Sequence, residues 1–150
     1  MARAAERMGR QHLATANLVV FVQTNSFKPT DRQYAGSKAV QLPVASADTG
    51  KLIKAAVTAL AALYKPGYRY KKAGVILLDL VPAGAAQAGL FDRPDDARSI
   101  ARMRAIDNLN ARYGRDTIAF GTAGERQVWG LRREFISPRY TTVWDELLRV

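Results

Sequence analysis

Tyr68-Arg69-Tyr70-Lys71-Lys72-Ala73-Gly74-Val75-Ile76-Leu77-Leu78-Asp79-Leu80 decides the fold. It has no helical period and reads as one long strand, basic and aromatic in its first half and apolar in its second. The two halves must therefore meet different surroundings. Alternation along the strand puts Arg69 and Lys71 on one face and Tyr68, Tyr70 and Lys72 on the other, so one side can carry charge while rings pack on a core. Asp79, within the apolar half, is expected to pair with a basic residue rather than to act in catalysis.

Upstream, Pro66-Gly67 stops a helix that Asp48 or Thr49 can cap and that runs to Tyr64, with Leu52, Ile53, Ala56, Val57, Leu60 and Leu63 as its apolar stripe. Residues 38–44 alternate as a strand, and Pro43 places its end at a sheet edge because proline supplies no ladder donor. Lys28-Pro29-Thr30-Asp31 is a turn, and residues 18–23 are a β-branched and aromatic strand. Residues 2–16 carry Ala4, Met8, His12 or Leu13 and Ala16 at helical spacing, with Arg3, Arg7 and Arg10 on the other faces. The chain begins inside that helical pattern without a cap, which suggests a start cut from something longer. Helix, strand, strand, helix, strand gives an α+β class: an antiparallel-type sheet with both helices on one face.

Downstream, Pro82 to Ala86 is rich in small residues and leads to Gln87-Ala88-Gly89-Leu90-Phe91-Asp92. A short peptide with a polar start and a Leu-Phe pair at its end suits an apolar pocket on another protein, Gln87 supplying amide hydrogen bonds. The competing reading folds Leu90 and Phe91 back onto the parent core, and on five residues alone it stands first. Asp95 or Asp96 can cap a further helix through Tyr113, on which Ile100, Met103, Ile106, Leu109 and Tyr113 recur every three or four residues before Gly114. Residues 117–120 and 127–131 are short strand candidates, residues 137–142 are extended and polar, and Trp144 and Leu147 are possible anchors. Together these make a small α/β tail module after the linker.

Composition narrows the function. The chain has 150 residues, 48% of them hydrophobic, and a formal net charge of +10. Residues 1–80 hold 12 Lys/Arg against 4 Asp/Glu and residues 81–150 hold 11 against 9, so the halves stand at +8 and +2. A basic excess of this kind points to a polyanionic partner, against the plainer reading of a solvated basic face. Lys65, Arg69, Lys71 and Lys72, joined by Lys28, Arg32 and Lys38 in the same basic half, favour phosphate binding. No cysteine is present and His12 is the only histidine, so disulfides, thiolate zinc sites and Ser-His or Cys-His machinery are excluded. Asp95 and Asp96 read as capping residues rather than metal ligands, and neither a catalytic residue, a metal nor a cofactor is expected. The lack of cysteine is compatible with a reducing cytoplasm, the apolar runs are too short to span a membrane, and no signal peptide is evident.

Four motifs in order, Tyr70-Lys71-Lys72-Ala73-Gly74-Val75, Gln87 to Phe91, Asn110-Ala111-Arg112-Tyr113-Gly114-Arg115 and Ser137-Pro138-Arg139-Tyr140-Thr141-Thr142, resemble the C-terminal part of the UmuC family. Its members are catalytic subunits of error-prone bacterial DNA polymerase V, Y-family translesion enzymes of SOS mutagenesis. The resemblance implies that residues 1–82 are a little finger domain gripping the primer-template backbone, 83–94 a linker with the clamp-binding peptide, and 95–150 a UmuC-type C-terminal extension. It implies DNA and the sliding clamp as partners, with UmuD-type subunits and RecA as further ones.

Gln87, Ala88, Gly89, Leu90 and Phe91 occupy the family's clamp-binding positions. Leu is usual where Ala88 stands, so docking should be weakened: burying a leucine contributes roughly 1.5–3 kcal/mol, most of which alanine forgoes. The palm carboxylates of nucleotidyl transfer are absent, so the chain alone is not expected to polymerise DNA. Family little fingers open with a strand before the first helix, and a sheet without it is expected to leave an exposed edge. The alternative from a different class is a protein-binding fragment that occupies the clamp or a polymerase partner without binding DNA.

Overall fold

The computed structural model describes residues 1–85, 94–114, 116–121 and 143. Its elements are α1 (Ala2–Arg10), β1 (Leu13–Thr24), β2 (Ala35–Ser46), α2 (Thr49–Leu63), β3 (Tyr70–Leu78), the short β4 (Val81–Pro82) and α3 (Ala97–Tyr113), with a 3-10 turn at Ala83–Ala85. All strand pairings are antiparallel. β1 is central, flanked by β2 and β3, and β4 pairs with its first residues.

Alternation along β1 splits the sheet. Leu18, Val20 and Val22 are buried on one face, where they join Ala5 and Met8 of α1 and Leu52, Ala56, Ala59 and Leu63 of α2 in a single core. Both helices therefore cover one face, as the α+β reading requires. The other face carries Val19 and Phe21 beside Ile76 and Gly74, and Ile76 and Leu78 there remain well exposed. Among the described residues no helix covers this face.

Four boundaries and placements differ from expectation for local reasons. Helix α1 stops at Arg10 rather than continuing to residue 16, because His12 turns the chain with φ 54. Leu13, Ala14 and Thr15 then extend β1, with Ala14 and Thr15 buried. The strand expected to reach Leu80 breaks at Asp79, which takes φ 48 and accepts a 2.8 Å hydrogen bond from Asn17 Nδ2 rather than pairing with a cation. In α2 the buried stripe runs through Ala59, and Val57 and Leu60 face outward. Residues 117–120, a strand candidate, form a bend followed by irregular backbone.

Asp48 caps α2, accepting from the backbone N–H groups of Gly50 and Lys51 at 2.7 and 3.4 Å. It also reaches α3: Ser99 Oγ donates to its other oxygen at 2.5 Å and Arg102 Nη2 at 2.6 Å. Asp95 completes the junction, receiving Ser46 Oγ, the Ala47 N–H and Lys51 Nζ at 2.8–2.9 Å. Asp96, not Asp95, caps α3 through the Ser99 N–H. The two neighbouring aspartates thus divide the labour: Asp95 ties the helix to the sheet and Asp96 starts it.

Candidate nucleic-acid interface

One end of the sheet gathers the basic half of the sequence. There β1 ends at Thr24, the connection 25–34 crosses to β2, α2 ends, and β3 begins. Lys28 and Arg32 come from the first connection, Lys65 and Arg69 from the second, and Lys71 and Lys72 from the start of β3. Six of the seven expected phosphate contacts are therefore brought to one end. Lys38 stands apart: it pairs with Val20 on the outer strand β2 and is exposed on the helix-covered side.

A tyrosine cluster packs that end together. Tyr34 lies 5.1 Å from Tyr68 and 6.2 Å from Tyr70, and Tyr64 lies 5.7 Å from Tyr70, measured between ring centres. The Tyr70 hydroxyl closes the α2–β3 turn, accepting from the Lys65 N–H at 2.9 Å and donating to the Lys65 carbonyl at 3.1 Å. Tyr34 Oη donates to the Leu63 carbonyl at the end of α2. Cations are laid over these rings: Arg32 is 5.1 Å from the centre of Tyr68 and Lys65 is 4.6 Å from that of Tyr34. The charged heads themselves lie against the ring faces while both side chains stay exposed.

Electrostatically the end is almost unopposed. Among the described residues its one ion pair joins Arg69 to Asp31 at 3.7 Å, and the Arg69 side chain is still 79% exposed. Such a contact is worth little in water and yields readily to a stronger anion. Lys28, Arg32, Lys65, Lys71 and Lys72 make no ion pair among the described residues.

The strand does not present its charges as simple alternation requires. Thr24 pairs with Tyr70 but Gln23 pairs with Lys72, so Lys71 is an extra residue, a β-bulge. Tyr70 consequently sits on the core face with buried Thr24, whereas Lys72 sits on the open face with Gln23. This corrects the expected grouping of Tyr68, Tyr70 and Lys72 on one side. Lys72 Nζ lies 5.8 Å from the centre of Phe21, whose ring in turn covers Gly74 on the same face. A Cβ at position 74 would come within 2.6 Å of Phe21 Cε1, so glycine is what allows the ring to lie flat. The bulge thus turns one lysine onto the open sheet while the tyrosine before it stays in the core.

Sequence reasoning missed Phe27, which stands 92% exposed in the β1–β2 connection. A lone aromatic within a run of turn-forming residues is the signal that could have found it. The peptide Gln87, Ala88, Gly89, Leu90 and Phe91, the strand candidate 127–131, the segment 137–142 and the anchors Trp144 and Leu147 lie outside the described residues.

At the opposite end of the sheet, a cleft of about 590 Å³ between α1 and α3 is lined in part by Arg10, His12, Asp95, Ser99, Met103 and Asp107. Burial, reinforced by Glu6 and only partly offset by Arg10, holds the Asp107 carboxyl above its usual range. Among the described residues no group of acids and histidine is arranged to hold a metal, and no helix is long and apolar enough to cross a membrane.

The impB/mucB/samB family C-terminal domain matches residues 1–90, and a domain of unknown function, DUF4113, matches residues 102–150. The first ends before the Asp95 junction and the second begins at Arg102, so the contact of Asp48 with Arg102 bridges the two matches and its contact with Ser99 reaches the segment between them. Protein UmuC of Salmonella typhimurium is 41% identical over 99% of this chain and 36% of its own length. Protein ImpB of the same organism is 34% identical over 97% of the chain and 34% of its length, and Protein MucB of Escherichia coli 36% over the same shares. The chain therefore spans about a third of the curated relatives it matches. No solved structure matches it. With more than half of the chain matched and an α+β sheet carrying both helices on one face, the protein belongs to the impB/mucB/samB family as a UmuC-like C-terminal region.

Proposed function

We propose that this region grips the DNA backbone and tethers a translesion polymerase to the sliding clamp during SOS mutagenesis in the cytoplasm. The observation that carries the reading is the convergence of Lys28, Arg32, Lys65, Arg69, Lys71 and Lys72 on one end of the sheet, with a single carboxylate among the described residues, Asp31, against them. Phosphate contacts from lysine and arginine position a protein on nucleic acid without reading bases. A grip of that kind tolerates a distorted template because nothing in it tests sequence. Lys38 contributes from the side of β2, at the margin of the grip.

The family resemblance supplies the tether, at Gln87, Ala88, Gly89, Leu90 and Phe91. Holding the region on the clamp makes its encounter with DNA intramolecular and raises its effective concentration. UmuD-type subunits and RecA are the further partners the family reading carries. Residues 1–82 form the DNA-binding domain in this reading, 83–94 the tether and 95–150 the extension.

Binding of a fluorescent primer-template at two salt concentrations, with and without the sliding clamp, tests the proposal. It requires steeply salt-dependent binding that the clamp tightens, and loss of clamp pull-down in the Leu90→Ala, Phe91→Ala double variant with DNA binding intact. Clamp binding without DNA binding would replace it with the protein-binding alternative.

A further inference from the structure

Phe27 is held out into solvent by a connection built to keep it there. Gln33 Nε2 lies 3.2, 2.9 and 3.0 Å from the carbonyl oxygens of Asn25, Lys28 and Asp31, gathering the loop around one side-chain amide. Asn25 Oδ1 accepts from the Phe27 N–H at 3.2 Å, and the Asn25 carbonyl from the Lys28 N–H at 3.1 Å. Thr24 Oγ1 lies 2.9 Å from Gln33 Oε1, which anchors the amide to the end of β1. Single exposed apolar side chains are ordinary on protein surfaces. An aromatic ring 92% exposed on a loop with this much internal hydrogen bonding, between Lys28 and the Arg32 laid over Tyr68, is a different matter.

A ring flanked by cations that make no ion pair among the described residues has the composition of a single-strand binding platform, where charge tracks the phosphates and an aromatic face receives a base. Within an intact duplex both faces of each base are already stacked. Only an unpaired base offers a free face to a ring, and it does so whatever its identity. The geometry points to Phe27 as a stacking platform for an unpaired template base next to the duplex held by the basic end of the sheet. The inference rests on the nucleic-acid reading above and adds to it a contact with a base, outside the backbone grip.

The test uses the 150-residue chain with two DNAs: a primer-template carrying 2-aminopurine in its single-stranded overhang, and a long blunt duplex. Wild type should alter 2-aminopurine emission on binding. Phe27→Ala should lose about tenfold in affinity for the overhang DNA, the worth of one base stacked on an aromatic ring, and leave the emission unchanged. It should bind the long duplex as wild type does, and Phe27→Trp should restore both overhang affinity and the emission change. Unchanged overhang binding and emission in Phe27→Ala would overturn the inference alone, as would equal losses on the two DNAs. Failure of the wild type to bind either DNA would overturn the nucleic-acid reading and this inference with it.

Discussion

Replacing Asp48 by alanine removes one carboxylate that performs three tasks. As the N-cap of α2 it satisfies the Gly50 and Lys51 N–H groups, and losing a cap costs about 1 kcal/mol. Its other oxygen accepts from Ser99, which is buried, so the hydroxyl loses its acceptor at about 1 kcal/mol or somewhat more. The Arg102 ion pair adds less than about 1 kcal/mol, because the arginine is 56% exposed and returns easily to water. The sum is about 2–3 kcal/mol, which for a chain of this size lowers Tm by roughly 5–10 °C.

Asp48→Asn retains a capping oxygen and should lose about a third of that. Thermal unfolding followed by circular dichroism measures both, and hydrogen exchange should show α3 losing protection together with the first turn of α2. A Tm within about 2 °C of wild type for Asp48→Ala would refute the reasoning, since a Tm change that small corresponds to less than about 1 kcal/mol. So would protection lost in α2 alone, which would mean that α3 is not held through this carboxylate.

Three further outcomes follow from the same contacts. Gly74→Ala should force Phe21 off the sheet and destabilise the protein by about 1–3 kcal/mol, an overpacking cost, and an unchanged denaturation midpoint would contradict the flat-ring geometry. Acid should loosen the α3 junction. Burial alone would raise Asp48 and Asp95, but hydrogen bonds from Ser99, Gly50 and Lys51 with the charge of Arg102 outweigh it for the first, and Lys51, Ser46 and Ala47 for the second, so both carboxyls are held low. Their stabilisation is complete above the unfolded carboxylate value, near about 4, and fades as pH falls through the lower folded values. Asp107, held high, acts in the opposite sense and favours the fold at low pH. The Asp48→Asn, Asp95→Asn double variant should lose most of the acid dependence below about pH 4, as read from urea midpoints across pH.

Helix α2 was legible because its signals are local: Asp48 before an apolar stripe and Pro66-Gly67 after it. Its partnership with α3 was not, because Ser99 and Arg102 meet Asp48 only through tertiary contact across 51 and 54 residues. Helix α1 was drawn too long because Leu13 and Ala16 keep helical spacing, while the turn that stops it rests on the left-handed backbone of His12, a conformation uncommon outside glycine that no helical periodicity signals. The basic end was legible as composition, since the lysines and arginines sit in connections that an antiparallel sheet returns to one end. Its facing was not: alternation from Tyr68 to Lys72 assumes an unbroken ladder, and the bulge at Lys71 inserts one residue. Phe27 escaped notice because a lone aromatic among turn-forming residues marks a candidate, while its exposure is set by what the loop fails to pack against.

If the basic end of the sheet holds DNA through its phosphates, as proposed, the salt slope of binding must show it. Each phosphate neutralised contributes about −0.9 to the slope of log affinity against log salt, so engagement of most of the six clustered cations gives a slope of about −4 or steeper. The Lys71→Ala, Lys72→Ala double variant should bind more weakly across unrelated sequences and shallow that slope by about 2. A wild-type slope near zero would contradict the account, as would a double variant whose loss is confined to one sequence.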